Sequence, residues 1–144
     1  MADRIGGPGY LSVQQAQALA AAGMTIGSHG MKHRPWADLS GADFHQEAII
    51  AKDRLEQMIG QAIDCASCPY GSYNRRVLRA LRTAGYRRVY TSDGGWAPAD
   101  AFVQPRNSVH GSDGLGPILL ALRQKGYCWR SLWRAGKRLV KQWR

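Results

Sequence analysis

The chain has 144 residues, a length that fits one domain of ordinary size, and 44% of them are hydrophobic. Its formal net charge of +10 is uneven, because eight of the 20 Lys and Arg residues follow the last acidic residue, Asp113. This distribution excludes a uniformly basic nucleic-acid binder. It predicts a near-neutral domain over residues 1–126 and a basic tail over residues 127–144.

Two further features bear on the compartment in which the chain works. No apolar run approaches the roughly 20 residues that cross a bilayer, and the N-terminus lacks the apolar segment of a secretion signal. We therefore expect a cytoplasmic protein. The three cysteines, an odd number, favour free thiols over a disulfide framework.

The predicted elements alternate between helices and strands. Ser12 is the expected N-cap of a helix that Gly23 ends, and residues 24–29 (MTIGSH) predict a short buried strand. The later predicted elements are a loop (34–40), an amphipathic helix (42–59), a strand (62–67), a loop (68–74), a helix (77–84), a strand (87–92), an extended segment (102–109) and a helix (115–126). This order is typical of an α/β protein with a parallel sheet, whose chemistry lies at the carboxyl ends of the strands.

His29 and His33 lie at one such end. Their i, i+4 spacing brings two imidazoles to one face of a helical turn, as zinc sites require. The alternative is an ordinary pair of surface histidines. Spacing alone leaves both interpretations open.

Cys65 and Cys68 form a CxxC motif between a predicted strand and a predicted helix. They could join the two histidines in a structural Cys2His2 zinc site, or form a thiol redox site at a helix N-terminus. The third interpretation is that Cys65 is a small buried strand residue and Cys68 has no special role in its loop.

The basic tail places tryptophans along one helical stripe and Lys and Arg along most of the remainder. Such a segment is typical of a helix that lies on an anionic membrane surface, which would make the protein peripheral at the inner face of the membrane. The alternative is a helix that packs its tryptophans on the domain. We expect no nucleic-acid partner, because no recognised binding module accompanies these charges.

Three segments resemble the polysaccharide deacetylases, carbohydrate esterase family four. Residues 11–33 are similar to the family's second motif, a helix and strand followed by His-[Ser/Thr]-x-x-His. Residues 65–95 are similar to its third motif, with Pro-Tyr-Gly and the helix and strand that follow. Residues 102–109 resemble a later segment that supplies a functional arginine.

The resemblance implies a (β/α) barrel that removes acetyl groups, mainly N-acetyl, from a polysaccharide or oligosaccharide with water activated by a divalent metal, usually Zn²⁺. By this resemblance His29 and His33 are metal ligands, Tyr70 offers an oxyanion N–H, and Arg106 orients a catalytic carboxylate. The candidate general acid is His110, in a less typical context. Candidate substrate contacts are Pro69, Tyr70, Gly71 and Trp96.

The chain also departs from the family pattern. The two adjacent aspartates of the first motif, a metal ligand and the general base, have no counterpart, and Asp3 stands alone. Gly30 replaces the usual hydroxyl residue after the first histidine. We therefore expect an incomplete barrel that lacks its first strands, a weak metal site and incomplete catalysis. The exposed strand edge that results would need a missing N-terminal segment or a homodimer.

Two rival functions remain at this point. One is a non-catalytic module that binds a glycan or a membrane surface. The other is a small zinc or thiol protein that uses the CxxC motif.

Overall fold

The structure, a computed structural model, describes residues 1–112, 114–116, 119 and 140. The helices are α1 (Val13–Ala21), α2 (Gly41–Phe44), α3 (Ala51–Ile59) and α4 (Arg75–Thr83), and the strands are β1 (Cys65–Ser67), β2 (Arg88–Thr91) and β3 (Val103–Pro105). Short 3-10 helices span Trp36–Asp38 and Pro69–Gly71. The tail over residues 127–144 and most of the helix predicted over residues 115–126 lie outside the described residues.

The three strands form a parallel sheet in the order β1-β2-β3. Cys65 pairs with Arg88 between β1 and β2, and Val89 pairs with Val103 between β2 and β3. Pro105, which has no N–H to donate, is tolerated because β3 is an edge strand. The α/β class with a parallel sheet is therefore confirmed.

The strand predicted over residues 24–29 is wrong in extent. Its ladder is reduced to one parallel bridge between Ser28 and Ala66, and Met24 is 58% exposed. The segment has only β1 beside it, and the chain turns away at Gly30, whose φ is +81°. Pairing therefore ends after Ser28, which leaves a bridge rather than a strand.

The two N-terminal helical predictions are confirmed, with one local difference. Ser12 caps α1 in a capping box with Gln15, and Gly60 ends α3 with a φ of +80°. The long helix predicted over residues 42–59 is not α-helical throughout, because a π-helical stretch, His45–Ile50, joins α2 to α3. Such stretches inside α-helices are frequent at functional sites.

The hydrophobic core is formed by buried side chains of the sheet and of the helices that pack against it. Its largest fully buried side chains include Trp36, Ile63, Leu81 and Val89. Trp36 lies in the segment predicted as a loop, which instead contains a 3-10 turn that buries the indole against the edge of the Phe44 ring. Over the part of the chain that the structure describes, no helix has the length and apolar character needed to cross a membrane.

Candidate functional site

The carboxyl edge of the sheet brings the predicted site residues together. His29 follows the bridge residue Ser28, and Tyr70 lies in the 3-10 turn that follows β1. Arg106 follows β3, and its backbone N–H donates to the carbonyl of Thr91 at the end of β2. Each of these positions comes directly after a strand or bridge, which is where α/β folds place their chemistry.

The two histidine rings face each other through their Nε2 atoms. His29 Nδ1 lies 2.7 Å from the carbonyl oxygen of Ser67, so this nitrogen carries the proton and donates it to Ser67. His29 Nε2 therefore presents a lone pair. It lies 2.9 Å from His33 Nε2, which donates a hydrogen bond to it when no cation is bound.

This separation suits a shared cation. Zinc binds imidazole nitrogen at about 2.0–2.1 Å, so two nitrogens on one tetrahedral ion lie about 3.3 Å apart, a few tenths of an ångström more than the separation seen here. A backbone carbonyl that accepts the second ring proton of a ligating histidine is a common support of metal sites, and Ser67 provides one for His29. Among the described residues, no group of three or more His, Cys, Asp or Glu side chains is placed to hold one ion. The described donor set therefore consists of two imidazole nitrogens.

His33 and Tyr70 reach this arrangement through unusual backbone conformations. Their φ values are +64° and +55°, in the left-handed region that only a few per cent of non-glycine residues adopt. The two rings pack at 4.5 Å between centroids, and Tyr70 is 72% exposed. Such strained residues cluster at functional sites, where the surrounding structure maintains them.

A second group of predicted residues lies around a neighbouring cavity of about 410 Å³. Its lining is Ser92, Arg106, Asn107, Ser108, Val109 and His110. Asn107 exchanges two hydrogen bonds with the backbone of Gly95, one at 2.9 Å and one at 3.0 Å. This pairing fixes the backbone directly before Trp96, which is 56% exposed.

Comparisons with known proteins show the family of the chain. The family model for polysaccharide deacetylases matches residues 8–89, more than half of the chain. The chain belongs to the polysaccharide deacetylase family. The matched segment contains both histidines and the Pro-Tyr-Gly turn, whereas Arg106 and His110 lie beyond it.

Relatives and solved structures of this family give the same fold. The Bacillus subtilis protein YxkH, a candidate polysaccharide deacetylase, is 28% identical over 111 residues, which cover 77% of this chain and 40% of YxkH. BC0361, a polysaccharide deacetylase from Bacillus cereus, matches with a TM-score of 0.73 at 16% identity, over 85% of this chain and 40% of its own. The Streptococcus pyogenes deacetylase PplD, solved with acetate, matches with a TM-score of 0.72 at 20% identity, over 84% and 54% respectively.

This member of the polysaccharide deacetylase family thus spans about 40% of the curated relative that it matches. The structural matches support the barrel-type α/β fold of the family.

Cys65 and Cys68 lie apart from the histidine pair in the described part of the chain. Cys65 and Cys68 are both buried, and burial raises the pKa of the Cys65 thiol, the opposite of what a redox thiolate needs. No metal-binding group joins either cysteine to the histidines within the described range. The Cys2His2 alternative is therefore wrong for these residues, and Cys65 is a buried strand residue of β1.

Two contributors were missed from the sequence. Ser67 acts through its backbone carbonyl, for which the sequence carries no signal. Glu47, only 2% exposed, accepts hydrogen bonds from the loop that carries His33. A signal for Glu47 did exist, since it shares helical spacing with the buried residues Phe44, Ala48 and Ala51.

The pKa of His29 predicts how stability depends on pH in the metal-free chain. Burial, as the main cause, lowers this pKa below its ordinary value of 6.5, while the Ser67 carbonyl opposes the shift. Just below pH 6.5 the His29 side chain is therefore protonated in the unfolded chain but not in the folded chain. The free energy of unfolding decreases as the pH is lowered through this range. The contribution of His29 is complete above pH 6.5 and is lost as pH falls toward its folded pKa.

Urea unfolding midpoints measured between about pH 5 and pH 7.5 test this prediction. We expect the His29→Gln variant to have a flatter pH profile than the wild type, and the His45→Gln variant, which changes an exposed histidine, to keep the wild-type slope. Superimposable profiles for the wild type and His29→Gln would contradict the assignment.

Proposed function

We propose that this chain is the metal-holding part of a deacetylase that hydrolyses N-acetyl groups on a glycan. The observation that supports the proposal most is the approach of His29 Nε2 to His33 Nε2 at 2.9 Å, beside the Pro-Tyr-Gly turn, in a polysaccharide deacetylase family member. The two nitrogens fit one divalent cation, for which Zn²⁺ is the candidate. A bound cation of this kind polarises a carbonyl group and lowers the pKa of water.

Each predicted residue has a place in the proposed hydrolysis. Water oxygen bonds to the acetyl carbon, the C–N bond breaks, acetate leaves and the amine nitrogen takes a proton. The Tyr70 N–H would stabilise the developing oxyanion, and His110 would supply the proton to the amine. Arg106, on the same cavity wall as His110, would orient the carboxylate that acts as base.

The remaining candidate residues would shape or contact the substrate. Tyr70 and Trp96 expose their rings, whereas Pro69 and Gly71 are buried in the turn and would set its shape. A glycan would therefore meet the aromatic side chains, with Pro69 and Gly71 acting from beneath. The substrate class, an acetylated polysaccharide or oligosaccharide, follows from the family.

We further propose that this chain forms an incomplete barrel. Two imidazoles fall short of the three protein ligands usual in catalytic zinc sites, and the described residues offer no third. The further ligand and the general base would come from the first strands of the barrel, supplied by another segment. Zinc binding by the chain alone should accordingly be weak.

Acetate release from a chitin oligosaccharide tests this function. We expect the zinc-loaded chain to release acetate slowly and to be accelerated by added formate, because a small carboxylate can take the place of the absent base. The His33→Ala variant should lose this release, whereas His45→Ala should retain it. No release with or without formate would contradict the proposal, and saturable oligosaccharide binding without release would favour a non-catalytic glycan-binding module.

A further inference from the structure

Glu47 is a buried carboxylate that the proposed chemistry does not use. It lies in the π-helical stretch between α2 and α3 and is 2% exposed, whereas its neighbours His45 and Gln46 are exposed. A carboxylate is costly to bury unless hydrogen bonds satisfy its oxygens. Its partners therefore indicate what it does.

Those partners are backbone N–H groups on either side of His33. Glu47 Oε1 accepts from the N–H of Lys32 at 2.9 Å and from the N–H of Arg34 at 3.0 Å, and Oε2 accepts from Lys32 at 3.1 Å. The backbone carbonyl of Glu47 also accepts from the N–H of Met31 at 2.9 Å. One helical residue thus holds three residues of the loop that carries the second histidine.

This contact explains how His33 maintains its left-handed backbone. Backbone N–H groups that flank a left-handed residue converge to form a small anion-binding concavity, and the Glu47 carboxylate fills it. The same backbone conformation directs the His33 ring to His29 and Tyr70. Without the carboxylate, the N–H groups of Lys32 and Arg34 would lose their acceptor. The left-handed conformation of His33 would then lose the hydrogen bonds that stabilise it.

The small residue after the first histidine fits the same arrangement. A Cβ atom on Gly30 would lie 2.7 Å from Glu47 Oε1 and 3.3 Å from Trp36 Nε1, and the φ of Gly30 is +81°. The carboxylate therefore occupies space that a larger residue at position 30 would need. Glycine at this position, a departure from the family pattern, matches the close approach of Glu47.

We propose that Glu47 is a positioning residue for the histidine pair, which fixes the Met31–Arg34 backbone so that the two Nε2 atoms converge on one cation. The expected effect on metal affinity rests on the proposed function. The effect of Glu47 on the position of the His33 ring does not, and it is measurable in the metal-free chain.

Zinc titration of the full chain tests the consequence. We expect Glu47→Ala to weaken Zn²⁺ binding about 10–100-fold, as loss of supporting contacts around metal ligands does. Glu47→Gln retains an oxygen that can accept from both Lys32 and Arg34, so its loss should be smaller. The matched control is Glu56→Gln, which alters a carboxylate on α3 that accepts the Ile63 N–H at 2.8 Å, outside the histidine loop. Its affinity should equal that of the wild type.

Side-chain nitrogen NMR of the metal-free chain tests the geometry directly. In the Glu47 variants the His33 ring signals should shift, while His29 retains the Nδ1–H signature imposed by the Ser67 carbonyl. Wild-type zinc affinity together with wild-type His33 signals in both Glu47 variants would overturn the inference. Absence of zinc binding by the wild type would overturn the proposed function instead, and the His33 signals would still decide the role of Glu47.

Discussion

Replacement of either His29 or His33 by alanine should weaken Zn²⁺ binding by about 100-fold or more, because each change leaves one imidazole where two converge. Both variants should show a loss of Zn²⁺ affinity, since each residue contributes an Nε2 atom to the same position. Competition with a chromophoric chelator of matched affinity measures Zn²⁺ binding by the wild type and by both variants.

The matched control is His45→Ala. His45 is exposed on the π-helical stretch that follows α2, and it should affect neither affinity nor stoichiometry. Retained affinity in both His29→Ala and His33→Ala would remove the metal assignment. An equal loss in His45→Ala would show that the binding is nonspecific.

Replacement of Gly71 by alanine should destabilise the fold by roughly 2–5 kcal/mol, the sum of a backbone cost and a steric cost. Gly71 has a φ of +63°, and a Cβ atom there would lie 1.9 Å from Ser92 Oγ and 3.2 Å from Ser92 Cβ. Rotation of the serine hydroxyl relieves only the first contact. The turn that carries Tyr70 would have to shift, so urea unfolding should show a lower midpoint.

Two variants separate these costs. Gly85→Ala has a similar φ of +82° with open space around the new Cβ, so it should lose only about 1 kcal/mol. Adding Ser92→Gly to Gly71→Ala should recover the stability that the steric contact with Ser92 removes. A loss in Gly71→Ala no larger than that in Gly85→Ala would show that the contact with Ser92 does not constrain the turn.

Local signals in the sequence predicted those elements whose causes are themselves local. The Ser12 cap and the apolar spacing that follows define α1, and Gly60 marks the end of α3 with a left-handed conformation. The parallel pairing of β1 with β2 follows from the helix α4 that lies between them in the chain. For the two helices, side chains within one or two turns determine where the element begins or ends.

The remaining features depend on partners distant in sequence. Residues 24–29 have the composition of a strand, but the structure gives only the Ser28 bridge, because the backbone turns away from β1 at Gly30. The left-handed backbone of His33 depends on the carboxylate of Glu47, 14 residues later in the chain. Sequence periodicity predicts that Glu47 is buried, but it does not predict which groups Glu47 contacts. Ser67 contributes a carbonyl that every residue type possesses.

X-ray absorption at the zinc edge, on the full chain loaded with less than one equivalent of Zn²⁺, tests the convergence of the two histidines most directly. We predict scattering from imidazole nitrogens at about 2.0–2.1 Å, with one imidazole lost in His33→Ala. A sulfur scatterer at about 2.3 Å, or an imidazole count unchanged when His29 and His33 are both replaced, would contradict it.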